Sequence, residues 1–216
     1  MDIQGKLKVR LLKHYLLLSV IIIISAICLF SYKGKRDTIT FIAWSSGYIS
    51  FVLLALSLIT GSVNLLRKRG SSVSTYFRRD LGIMAGTLAI LHSVSGLFVH
   101  LRGKMWMYFF TKSDAGYSLR FDNFGFANYT GLIAATLILI LVLTSSDRMI
   151  VKLKPERWKN IQRLSYLMFL LVLIHTYFYW VGGKNIDILI FFYVPVILVV
   201  ISMQSAGIII RKKMAK

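Results

Sequence analysis

Long apolar runs alternate along this chain with short, strongly charged connections. Six runs of roughly 18 or more mostly apolar residues stand near 15–32, 39–66, 81–101, 124–144, 164–182 and 186–210. A hydrocarbon core of about 30 Å needs about 20 helical residues to cross it. Inside lipid every backbone polar group has to bond within its own structure, so runs of this length read as helices rather than strands. The pattern predicts an all-α integral membrane protein, a six-transmembrane-helix bundle forming one domain over 1–216. The first run is too long for a removed signal peptide, and no small-residue cleavage site follows it before the KGKRD stretch that ends at Asp37.

Three connections lie between the runs with enough length to carry structure of their own. Two, 67–80 and 145–163, are basic, and the third, 102–123, is rich in aromatic residues. In that third connection Trp106, Tyr108, Phe109 and Phe110 suit a segment lying at the level of lipid headgroups. No repeat stands out along the chain.

Charge then orients the bundle. The formal net charge is +19, from 27 basic and 8 acidic residues. With both termini and alternate connections on one side, 19 of the 27 basic residues fall there. The positive-inside rule places that side, and both termini, in the cytoplasm. Topology and contact with anionic membrane lipid account for most of this charge, so it does not imply nucleic acid. A remaining share suits docking of an acidic partner. One cysteine, Cys28, excludes an intrachain disulfide and a cysteine-ligated metal or iron–sulfur site. No glycine-rich dinucleotide fingerprint or P-loop occurs, and no segment has room for a flavin or nicotinamide domain.

Four histidines remain to be explained. His14 falls at the interfacial start of the first run and reads as solvated. His92 and His175 lie deep in apolar runs, where ionisable side chains face the bundle interior and serve a function. His92 follows Arg79 by 13 residues in the third run, and His175 follows Arg163 by 12 in the fifth. At about 1.5 Å per residue the imidazoles sit roughly 20 and 18 Å from those arginines, level on two parallel helices. Two level imidazoles suit the axial positions of a haem iron. They equally suit two separate core histidines bonded to hydroxyls such as Ser93, Ser95 and Thr176. His100 lies eight residues beyond His92, about 12 Å higher and turned away, so it does not join the pair. A zinc site needs three or four protein ligands, and no acid or cysteine falls at this depth.

The run RRDLGIMAGTLAILH, followed by LTSSDRMIVKLKPERWKNIQRLSYLMFLLVLIHTYFYW, resembles the ferric reductase-like transmembrane domain. The matching elements are Arg78-Arg79 and Leu81-Gly82 before His92, Thr144-Ser145 closing the fourth run, then Trp158, Tyr166, His175 and Trp180. They span roughly 40–182. Within that family the chain looks most like the small haem-binding membrane subunits of methionine sulfoxide reductase systems.

The resemblance implies haem b held by His92 and His175, and electron transfer from a cytoplasmic flavin reductase or a quinone to an outer-side acceptor or partner subunit. It places the protein in a bacterial inner or thylakoid-type membrane. Family members often carry a further histidine where this chain has Gln162, which reduces the expectation to one haem. Arg79 and Arg163, with Arg78 and Lys159, are candidates to hold propionates, a flavin phosphate or a quinone headgroup, or they serve simply as positive-inside charges. The competing reading is a non-redox structural or accessory subunit that retains the fold.

Overall fold

The computed structural model describes residues 10–33, 37–67, 72–114, 116–183 and 186–214. Helix α1 (Leu16–Lys33) continues a π-helical turn, Leu11–Tyr15. α2 (Thr38–Leu66) and α3 (Ser72–Gly96) follow. After a small hairpin, β1 (Phe110–Ser113) and β2 (Gly116–Leu119), come α4 (Asn123–Leu143) and two short helices, α5 (Asp147–Leu153) and α6 (Pro155–Gln162). α7 (Leu164–Gly182) and α8 (Val194–Met214) complete the chain, α8 entering from Ile186 through a π-helical turn at Leu189–Tyr193. Pro195 explains that turn. It offers no N–H to the carbonyl of Phe191 and its ring crowds that carbonyl, so the ladder widens just ahead of it.

Among the described residues, five helical stretches are long and apolar enough to cross a membrane: Leu12–Ser31, Thr38–Leu66, Asn123–Leu143, Pro155–Gly182 and Ile186–Lys213. Their outward faces carry large exposed aliphatics, among them Ile23, Ile27, Leu132, Ile133, Leu198 and Ile201. So large an apolar surface would be an aggregation hazard in water and is an ordinary solvated surface in lipid. The expected span at 81–101 starts earlier, at Ser72, and ends earlier, at Gly96. Arg78, Arg79, Asp80, His92 and several hydroxyl residues make α3 less apolar than the other five stretches. It packs against α2 and α4 on one side and leaves Leu91 and Val94 exposed on the other. α3 packs along α2 more extensively than any other two elements pack, and α4 along α7 comes next.

The bundle is thus two helical hairpins, α2–α3 and α4–α7, joined where α3 meets α4, with α8 laid on α2. Its core is continuous through Phe51, Leu54, Leu58, Leu81, Ala85, Ile138, Leu141, Met168 and Phe169. The rings of Phe51 and Phe169 stack at 5.8 Å between centroids. Aspartates close two N-termini: Asp37 accepts from Thr40 N, and Asp122 accepts from Gly125 N at 2.7 Å. Each satisfies an orphan donor of the first helical turn.

One sequence expectation, for His14, changes here, and the aromatic connection at 102–123 takes a defined shape. It folds into a 3-10 turn, Met105–Tyr108, and the β1–β2 hairpin. Tyr108 becomes 3% exposed, because its hydroxyl donates to the Gly96 carbonyl at 2.9 Å and accepts from His100 N at 3.1 Å. Trp106, Phe110 and Tyr117 stay exposed.

His14, expected to be solvated, is buried, with Nδ1 2.6 Å from Asp80 Oδ2. Asp80, the last residue of the connection 67–80 as read from the sequence, is a fully buried acid within α3. It accepts from Arg10 and from the hydroxyl of Tyr15, so three side chains compensate its charge. The π-helical turn that carries His14 and Tyr15 is pinned to the bundle by this carboxylate.

Candidate functional site

His92 stands on α3 and His175 on α7, the second helix of each hairpin. The structure brings their rings to 6.2 Å between centroids, with the planes 79° apart. Each is fastened in the same way to the first helix of its own hairpin. His92 Nδ1 lies 2.6 Å from the carbonyl oxygen of Ala43 on α2, and His175 Nδ1 lies 2.7 Å from that of Ala127 on α4. A carbonyl oxygen only accepts, so Nδ1 carries the hydrogen in both rings. That fixes the tautomer and leaves Nε2 with a free lone pair. Neither ring makes another hydrogen bond among the described residues.

Close packing makes this contact possible. A Cβ on Gly47 would come within 2.8 Å of His92 Nδ1, and one on Gly131 within 2.8 Å of His175 Nδ1. Each glycine lies four residues after the alanine whose carbonyl accepts, one turn further along the same helix face. Only a bare backbone there lets the imidazole lie flat enough to reach that carbonyl. The sequence shows the motif twice, as AWSSG at 43–47 and ANYTG at 127–131. The alanines and glycines repeat at an offset of 84 residues and the histidines at 83. This internal repeat escaped the sequence reading because three matching positions in 84 carry little signal until the contacts are seen.

Does this pair suit an iron porphyrin? Metal–imidazole nitrogen bonds are about 2 Å long. Adding about 1 Å from each nitrogen to its ring centre, two imidazoles on opposite sides of one metal stand about 6 Å apart. The separation here matches. A carbonyl bonded to Nδ1 is also the usual support that orients a metal-binding histidine and raises its basicity. Among the described residues no group of three or more His, Cys, Asp or Glu side chains could hold a bare metal ion. His92 and His175 are the residues that could hold a haem iron, each through its free Nε2.

The other candidates lie elsewhere. His100 is exposed, and its Nε2 is 3.1 Å from the hydroxyl of Tyr179. Tyr179 itself stacks beside His175, with centroids 6.2 Å apart and planes at 30°. His100 therefore connects to the pair through one tyrosine, a link that depth arithmetic alone missed. Arg79 reaches Asp147 at 2.6 Å and lies over the Tyr76 ring. Arg163 is exposed and donates to Asn160 at 2.9 Å. Neither arginine is brought near the histidines. Gln162 donates to the hydroxyls of Thr144 and Ser145, and Trp158 Nε1 donates to the Thr144 carbonyl at 3.1 Å. The Thr-Ser and Trp elements of the motif thus clamp the end of α4 to α6.

Several apolar spans packed around one half-buried, carbonyl-anchored histidine pair define a multi-pass integral membrane protein, and membership of the family named next makes it a membrane electron-transfer component. The chain belongs to the ferric reductase-like transmembrane component family, whose model matches residues 46–173. That segment holds α3 and α4 whole, with Gly47, His92 and Gly131 in it, and ends two residues before His175. No individual curated protein matches the chain.

Proposed function

We propose that this protein is a membrane b-type cytochrome, with one haem held between His92 and His175. The observation that supports this reading is the paired geometry: two imidazoles 6.2 Å apart, each with Nδ1 committed to a carbonyl and Nε2 left free. A haem held by these two residues would supply one-electron chemistry. The chain's own part is to fix both tautomers, keep both rings neutral ligands and wall the pair off with apolar helices.

In this reading α3 crosses the membrane with the five more apolar stretches. That makes six spans, with both termini in the cytoplasm of a bacterial or thylakoid-type membrane. Electrons come from a cytoplasmic flavin reductase or a quinone, near Arg79 and Arg163. The acceptor lies outside, near Tyr179 and His100, as in the small haem-binding membrane subunits of methionine sulfoxide reductase systems. One haem is expected because Gln162 is engaged with Thr144 and Ser145 and is a poor iron ligand.

Absorption spectra of the purified chain, before and after dithionite, test the proposal. The expected result is a Soret band with a sharp reduced α band, and a pyridine haemochrome ratio near one. His92→Ala and His175→Ala each lose that low-spin spectrum, while His14→Ala and His100→Ala keep it. A colourless wild-type protein overturns the reading in favour of a non-redox accessory subunit. A ratio near two overturns the single-haem count.

A further inference from the structure

A second polar site lies at the far end of the bundle from the hairpin. Here α2, α3, α7 and α8 enclose a cavity of about 80 Å³, several times the roughly 10–15 Å³ that one water requires. Arg78 and Arg211 line it together with Tyr166 and Gln204, and no carboxylate does. Arg78 is fourteen residues before His92 on the same helix, so the two lie roughly 21 Å apart along its axis. The cavity is separate from the histidine pair.

Among the described residues neither of its guanidiniums pairs with a carboxylate. Arg10, Arg79, Arg102 and Arg120 each pair with an aspartate. Arg78 is half-buried and, among the described residues, pairs with none. Its place is nevertheless built. A Cβ on Gly61 would stand 2.8 Å from Arg78 Nη1 and 2.9 Å from Cζ, so the planar fork lies directly on the bare backbone of α2. Gln204 is fixed at both ends, donating to the Leu58 carbonyl at 2.7 Å and accepting from Tyr166 at 3.2 Å. A cationic fork held rigidly without a carboxylate is suited to a planar or tetrahedral anion, phosphate above all.

The mouth indicates where that phosphate comes from. Ile208, which also lines the cavity, is 57% exposed, and its neighbour Ile209 is 55% exposed. These side chains belong to the lipid-facing surface of α8. The cluster Arg211-Lys212-Lys213 lies in the last turn of the same helix, where a spanning helix of this length reaches the headgroups. Basic pockets between helices at this depth recognise anionic headgroups. We propose that this cavity binds the phosphate of an anionic phospholipid, with Arg78 and Arg211 as its ligands and the acyl chains running down α8. The site does not depend on the haem reading.

The test uses the whole purified chain in mild detergent, with phosphatidylglycerol, phosphatidylcholine or inorganic phosphate added at matched concentrations. Native mass spectrometry reads the retained adduct and thermal unfolding reads protection. Phosphatidylglycerol should be retained one to one and raise the unfolding midpoint, and the other two should not. Arg78→Gln and Arg211→Gln should each cut retention at least about tenfold, the loss expected for a charge-assisted contact. Arg157→Gln removes an equal charge from the same side and should cut it little. Arg211 is exposed, so its variant reports even where Arg78→Gln folds poorly. Equal retention by Arg211→Gln and wild type, or equal loss with Arg157→Gln, overturns the site. Protection by inorganic phosphate equal to that by phosphatidylglycerol overturns the lipid assignment.

Discussion

His175 reaches across a helix interface to the carbonyl of Ala127, 2.7 Å from its Nδ1, directly over the bare backbone of Gly131. His92 repeats the arrangement with Ala43 and Gly47. The fold thus holds two ligand-ready imidazoles by shape, because each ring is kept in place by the side chain its neighbouring helix lacks.

Gly47→Ala and Gly131→Ala should therefore disturb the histidine pair without touching either histidine. The added methyl would overlap Nδ1, and relief of such overpacking typically costs about 1–3 kcal/mol. Haem retention after purification should fall about tenfold in each variant, with a shifted midpoint potential in what remains. Gly96→Ala, where a Cβ meets nothing within 4 Å, is the control and should match wild type. Unchanged spectra in both cradle variants would mean that the glycines only permit helix packing.

Asp80→Asn should be the most damaging single change at the end of the bundle away from the hairpin. The carboxylate is fully buried and binds Arg10, His14 and Tyr15. Neutralising it leaves the Arg10 cation without its closest counter-charge, and breaking such a pair costs about 3–5 kcal/mol. Thermal unfolding should show a large drop, and limited proteolysis should cut near residues 10–15. Asp147→Asn, at a largely exposed aspartate that pairs with Arg79 as well as with Arg10, should cost less than Asp80→Asn.

Acid should loosen the β1–β2 hairpin through Asp122. Its hydrogen bonds from Arg120, and then its capping bond from Gly125, hold its pKa below the ordinary 3.8. A carboxyl whose folded pKa is depressed contributes its full share above the unfolded value and loses it as pH falls through the lowered one. Hydrogen exchange across 105–122, measured against intrinsic rates, should stay slow from neutral pH to about pH 5 and rise only below pH 3.8. Asp122→Asn should be fast throughout. A pH response that survives in this variant would exclude Asp122 as its source.

Orientation is tested separately. A reporter fused after Lys216 should read as cytoplasmic, since 19 of 27 basic residues share the side of the termini. An external reading would reverse both the membrane orientation and the direction of electron flow.

Sequence pattern alone determined the helices, because lipid leaves a chain no other way to satisfy its backbone over 18 or more apolar residues. It also singled out His92 and His175, since ionisable groups at that depth are costly and the helical rise makes their levels comparable. The tertiary structure decided what arithmetic along one helix cannot carry. Depth says how high a side chain stands and nothing about which helix it faces. Only the packing of α3 on α2 and of α7 on α4 showed that both imidazoles bond alanine carbonyls over glycines. The same limit explains His14, solvated on paper yet buried against Asp80, because the partner lies 66 residues away. It explains Arg79 and Arg163 as well, whose positions are set by Asp147 and Asn160 and lie apart from the histidines. Periodicity is a local property of the chain, whereas a site is made of contacts between segments distant in sequence.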